Sequence, residues 1–163
     1  MKTSSLSIGL GACVLIASTL MAAAPSGHAA AQQPAASAAD DPAVELFSQM
    51  CSRCHDGARI TAIRRTKSEW EEVLTKMMTM GATGSEEDFL TVFGYLRRHY
   101  GKVYINTAAL DEITTSLGLS TKDADAIAAY RKANGPFPDF DGVKKVPDVD
   151  VKTLEAHKEA VAF

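Results

Sequence analysis

The chain has 163 residues, 46% of them hydrophobic and 23% charged, with a formal charge of −3 at pH 7. That length holds one domain or two small ones, and the composition excludes fibrous and disordered classes. The acidic balance argues against a surface built wholly to hold nucleic acid or an anionic membrane, although local patches are compatible with it.

Residues 1–31 carry the marks of an export signal. Lys2 gives the positive end, an apolar run follows from Leu6 to Ala24, and Ala29-Ala30-Ala31 offers a small-residue cleavage site before Gln32. The mature protein is therefore expected in the periplasm. Two alternatives stay open. An apolar run of about 18 residues can also span a bilayer as an uncleaved anchor, and Leu10-Gly11-Ala12-Cys13 resembles a lipoprotein box that would lipidate Cys13. Residues 32–42 are rich in Ala and Pro and lack apolar periodicity, as a linker does.

Helical spacing of Ala43, Leu46, Phe47 and Met50 predicts a first helix leading into Cys51-Ser52-Arg53-Cys54-His55. Two cysteines two residues apart and followed at once by histidine are the attachment pattern of a c-type haem. The thiols add across the porphyrin's vinyl groups, and the adjacent imidazole is thereby set under the iron as proximal ligand. A disulfide or half of a zinc site is the alternative. Zinc needs two further ligands, and the other cysteine, Cys13, lies in the export segment.

Capping-box spacing at Thr66–Glu69 and Ser68–Glu71 predicts a second helix, and Ser85 with Asp88 a third that ends at Gly101. The second presents Trp70, Val73, Leu74 and Met77; the third presents Phe89, Val92, Phe93 and Leu96. Gly81-Ala82-Thr83-Gly84 joins them as a loop. A thioether is a common sixth ligand where iron transfers electrons, and three methionines crowd the end of the second helix. At about 100° per residue Met77 falls within the apolar stripe, whereas Met78 and Met80 fall to its flanks. Met77 is the expected distal ligand and Met80 the alternative, since the turn into Gly81 can swing it over the iron. All three can equally fill a core. His99 is a further candidate, with a surface position near the helix end expected instead.

The run from Cys51 to Tyr100, with Cys-x-x-Cys-His, Glu69-Trp70, Val73, Met77, Gly81-Ala82 and Tyr95-Leu96, resembles a small bacterial monohaem cytochrome c of the class I type. The resemblance implies an all-α domain over residues 43–102 holding one covalent haem c, with His55 proximal and Met77 distal.

In the last sixty residues, helices are expected from Ile105 to Leu117, over Thr121–Asn134, and from Val151 to about Ala162. Gly118-Leu119-Ser120 and Pro147-Asp148-Val149-Asp150 turn between them, and Gly135-Pro136 stops the middle helix. Phe137 and Phe140 supply core aromatics. Two helix-turn-helix units in tandem make a weak internal repeat. Ile105-Asn106-Thr107-Ala108, Ala124, Ile127, Tyr130-Arg131, Gly135-Pro136-Phe137, Lys144-Lys145-Val146 and Val149 resemble the tandem helix-hairpin-helix domain of ComEA-type competence proteins, which are receptors for double-stranded DNA.

That resemblance implies a helix-hairpin-helix fold over residues 103–163 and Gly-apolar-Gly turns whose amides accept backbone phosphate. Here the turns are Gly118-Leu119-Ser120 and Asp148-Val149-Asp150, and the segment has seven Lys or Arg against ten Asp or Glu. Two carboxylates where a phosphate should dock disfavour DNA, so packing or protein contact is the expected role. Gly118, Lys122, Lys144, Lys145 and Lys152 are the candidate contacts should DNA bind.

The functional expectation is a periplasmic one-electron carrier and not an enzyme, exchanging electrons with a redox protein such as a dehydrogenase or oxidase. The alternative is a haem-tethered DNA-binding protein. An open-haem enzyme or gas sensor ranks last, because no histidine and carboxylate constellation accompanies the haem motif.

Overall fold

The computed structural model describes residues 37–163. The expected export segment, Cys13 and the first half of the linker lie outside them. Among the described residues the chain is all-α except for one pair of two-residue strands, no helix is long and apolar enough to cross a membrane, and all fall within one compact unit.

The first core is built by α1 (Ala43–Cys51), α3 (Lys67–Thr79) and α4 (Glu86–Tyr100), with the single turn α2 (Ala58–Thr61) after the Cys51–His55 segment. Of the three expected capping boxes, Thr66–Glu69 and Ser85–Asp88 form, and Ser68–Glu71 does not because Ser68 already lies inside α3. Thr66 Oγ1 accepts from Glu69 N at 3.3 Å while Thr66 N donates to Glu69 Oε2 at 2.7 Å, and Ser85 and Asp88 do the same at 3.1 and 2.8 Å. Each satisfies two amides that the helix start leaves bare. Helix α4 also places Glu86, Glu87 and Asp88 in its first turn and Arg97, Arg98 and His99 in its last, matching its dipole at both ends. Against α4 pack α1 and α3, and Phe47, Trp70, Leu74, Val92, Tyr95 and Leu96 interlock between them.

His99 is not the surface residue expected. Its Nε2 lies 2.8 Å from Asp41 Oδ2, and both side chains are largely buried, at 13% and 7% exposure. Asp41 sits 58 residues upstream, so no local pattern announces the pair. Burial alone would raise the Asp41 carboxyl, but the Ala43 N–H, His99 and Arg98 outweigh it and hold the pKa at about 2. A carboxyl depressed in the folded state stabilises above its unfolded value, and that stability is lost as pH falls through the folded value. Asp41→Asn should therefore cost about 2 kcal/mol at neutral pH. In paired denaturant melts the gap between variant and parent should close between about pH 4 and pH 2; a gap that persists at pH 2 would disprove the assignment.

The second core is built by α5 (Leu110–Leu117), α6 (Thr121–Asn134), α7 (Phe140–Lys144) and α8 (Val151–Ala156). Ile105, Ile113, Leu117, Ile127, Val143 and Leu154 lie at its centre. Two expectations are corrected. Ile105 to Ala108 does not open a helix: Asn106 bonds across to Phe137, its Oδ1 accepting from Phe137 N at 2.7 Å and its Nδ2 donating to Phe137 O at 3.0 Å. The last helix does not reach Ala162. His157 Nδ1 turns back onto Thr153 O at 2.9 Å, a 3₁₀ turn covers Lys158–Ala160, and β2 (Val161–Ala162) pairs in parallel with β1 (Val103–Tyr104).

The halves are joined across α4 and α5. Arg97 donates to the Asp111 backbone and carboxylate oxygens at 3.1 Å each, and Lys67 reaches the same carboxylate at 3.1 Å. Arg64 caps His99 O and Gly101 O, at 2.8 and 3.3 Å. A Cβ at Gly101 would come within 2.6 Å of Ser116 Oγ and closer still to Arg97 O, so glycine is what lets the halves approach.

Candidate haem site

Helix α1 delivers Cys51 at its last position, and the following turn carries Cys54 and His55. All three line one cavity of about 370 Å³, within the range of about 300–1,000 Å³ usual for small-molecule sites. Its apolar wall is Ile60, Leu74, Phe89 and Val92, and Gly81, Ala82 and Thr83 form an edge. Gly81 has φ +96°, a left-handed turn that suits glycine and lets the chain leave α3 abruptly.

Met77 and Met80 both line this cavity, Met77 half-buried and Met80 71% exposed. Met78 is 45% exposed and is absent from the lining. Met50, which spacing placed on the first helix but not at the site, also lines the cavity. The signal for it was its place one residue before Cys51 on the apolar stripe of α1.

The residues fit a covalent haem. Cys51 and Cys54 are free thiols, and burial pushes the Cys51 thiol up. His55 Nδ1 faces Asp56 O at 3.4 Å; a carbonyl can only accept, so that contact favours a proton on Nδ1 and leaves the Nε2 lone pair for a metal. Thioether and imidazole ligands above apolar walls are a donor set that suits haem iron. Zinc fits worse: among the described residues no three His, Cys, Asp or Glu side chains converge as an ion site.

The hairpin tips are equivalent in form. Gly118 (φ +63°) precedes buried Leu119 and the N-cap Ser120; Asp148 (φ +61°) precedes buried Val149 and the N-cap Asp150. Asp150 accepts from Thr153 N at 3.1 Å and from Thr153 Oγ1 at 2.7 Å, as expected of an N-cap. Asp123 on α6 also accepts from Asp150 N at 3.0 Å, tying one tip to the other. Of the candidate phosphate contacts, Lys122, Lys145 and Lys152 are exposed. Lys144 is held by Asp141 at 2.7 Å and Glu155 at 3.0 Å.

Residues 99–161 match the family described as helix-hairpin-helix motif, and residues 19–87 match the haem-binding family of the quinohemoprotein amine dehydrogenase A alpha subunit. ComE operon protein 1 of Bacillus subtilis is 37% identical over 59 residues, 36% of this chain and 29% of that protein. An uncharacterized protein of Haemophilus influenzae is 36% identical over 63 residues, 38% of this chain and 56% of that protein. The chain thus spans well under two thirds of either relative. No solved structure matches. The chain carries a helix-hairpin-helix domain similar to that of a ComE protein, preceded by a segment similar to a haem-binding domain.

Proposed function

We propose that the protein is an exported c-type haem protein that carries single electrons, with the helix-hairpin-helix half packed against it. The observation that carries this reading is the convergence of Cys51, Cys54, His55 and Met77 on one cavity from separate elements. When bound, the haem supplies a one-electron couple. Cys51 and Cys54 would tether it, and His55 and Met77 would both ligate its iron, leaving no place for a substrate. The chain is therefore a carrier and not a catalyst, and its partner is a redox protein such as a dehydrogenase or oxidase.

Purified haem protein tests this. Met77→Ala should abolish the weak long-wavelength absorption of an iron–thioether bond, and a retained band would move the ligand to Met80. The parent protein, once reduced, should take up carbon monoxide poorly. Fast stoichiometric uptake would overturn the carrier reading in favour of a sensor or enzyme.

A second reading is supported by the comparisons: the half similar to ComE operon protein 1 holds double-stranded DNA. Both tips keep the buried apolar residue and left-handed turn of such a hairpin. The two readings concern different halves, and the DNA reading is decided at the tips by a binding titration.

A further inference from the structure

Beside the haem cavity lies a second concavity of about 430 Å³ that shares His55, Ile60, Met77 and Met80 with it. The fully charged residues lining the two are Arg53, Arg59, Arg65 and Lys76, and neither lining contains Asp or Glu. This is unexpected in a chain with 20 acidic and 17 basic residues. Arg65 is fixed in place. Its guanidinium bonds Ile60 O and Ile63 O at 3.3 and 3.2 Å and lies 4.9 Å from the centre of the Trp70 ring. Arg59 and Lys76 take part in none of the ion pairs among the described residues. A cationic concavity without carboxylates, opening from a cavity with an apolar wall, is suited to an anionic edge of whatever fills that cavity.

We propose that Arg59, Arg65 and Lys76 form a carboxylate-binding rim that receives the propionate groups of the covalent haem. The inference rests on the haem reading above. The cysteines fix the vinyl side of the ring, so the two carboxylates must leave the apolar wall elsewhere, and the concavity next to His55 and Met77 supplies cations for them. A desolvated carboxylate there would be costly without such partners. The rim also acts on the iron. Paired cations offset the propionate charge that would otherwise favour the oxidised state, so the rim raises the reduction potential and holds the propionates ionised.

The test is the midpoint potential of the intact haem protein between pH 5 and pH 8, at low and high salt, for the parent, Arg59→Gln, Lys76→Gln, the double variant and Arg59→Lys. Arg59 and Lys76 are exposed, so these changes should leave folding and haem attachment intact. The double variant should shift the redox equilibrium roughly tenfold toward the oxidised form, about 59 mV for one electron. It should also acquire a potential that falls as pH rises, because its propionates now titrate in this range, and Arg59→Lys should recover most of the parent's behaviour. Unchanged potentials with haem attached overturn the rim alone. A drop without new pH dependence that vanishes at high salt also overturns it, leaving only a long-range field. A parent protein that attaches no haem overturns both the rim and the reading beneath it.

Discussion

Trp70→Ala should lower the melting temperature of the half built by α1, α3 and α4 by on the order of 10 °C or more, the largest loss expected from any single truncation here. Trp70 is fully buried, its Nε1 donates to Tyr100 O at 3.0 Å, and the Arg65 guanidinium rests on its ring. Removing a buried Trp side chain costs about 3–5 kcal/mol, a large part of the 5–15 kcal/mol that a whole domain usually holds. The hydrogen bond adds a specific signature. Trp70→Phe keeps most of the apolar burial but removes one of the two hydrogen bonds that the Tyr100 carbonyl accepts, a loss of about 0.5–1.5 kcal/mol, so it should fall between parent and alanine variant. The measurement is thermal melting followed both by the haem band and by far-ultraviolet circular dichroism. Tyr100 lies at the junction of the halves, where Arg65 N also donates to its carbonyl at 3.1 Å. The haem band should therefore melt first, with helical signal from the second core surviving to higher temperature. Two coincident transitions shifted by less than about 2 °C would show that Trp70 does not organise the first core.

What the sequence made legible was local. The capping boxes at Thr66 and Ser85, the N-cap at Asp150, the stop at Gly135 and the apolar stripe of Trp70 all depend on residues within one or two helical turns, and all form. What it did not make legible depends on contacts closed across the chain. His99 looked exposed because its partner Asp41 is far upstream. Asn106 sits amid residues that suit a helix, yet its amide is committed to Phe137, 31 residues on. The pairing of β1 with β2 joins two-residue strands too short to leave an alternating pattern. The cavity was half legible. Cys51, Cys54 and His55 follow from attachment chemistry, and Met77 from helical phase. Met50 and the cationic rim emerge only when α1, α2 and α3 are brought together. Helical phase picks out Met77 but does not place Met80, because Met80 lies where α3 ends and the turn at Gly81 resets direction.

Replacing both tip carboxylates, Asp148→Gly with Asp150→Gly, should strengthen double-stranded DNA binding by the intact protein at least about tenfold, from a parent near the non-specific level of about 10⁻⁴ M at physiological salt. The module's seven basic residues are outnumbered by ten acidic ones, and Lys144 is spent on Asp141 and Glu155. Phosphate neutralisation supplies most non-specific affinity, so carboxylates at a tip oppose the approach of the backbone they should grip. The double variant should still fold. At φ +61° Asp148 holds a left-handed conformation that costs a non-glycine residue roughly 1 kcal/mol or more, and glycine removes that cost. Asp150→Gly gives up an N-cap, which a glycine replaces at a loss of a few tenths of a kcal/mol. The stability changes therefore nearly cancel, while the tip loses two negative charges. A titration repeated at several salt concentrations separates the outcomes. Micromolar, steeply salt-dependent binding by the parent would mean that Gly118, Lys122, Lys145 and Lys152 suffice despite the two carboxylates, and would make DNA retention the principal role of this half. Tight binding by the double variant alone would show that the ComE-like fold persists with its phosphate grip blocked at the tips. If neither protein binds, Asp148 and Asp150 are not the cause, and the α4–α5 junction points instead to a half that serves the first core by packing or by contact with a partner.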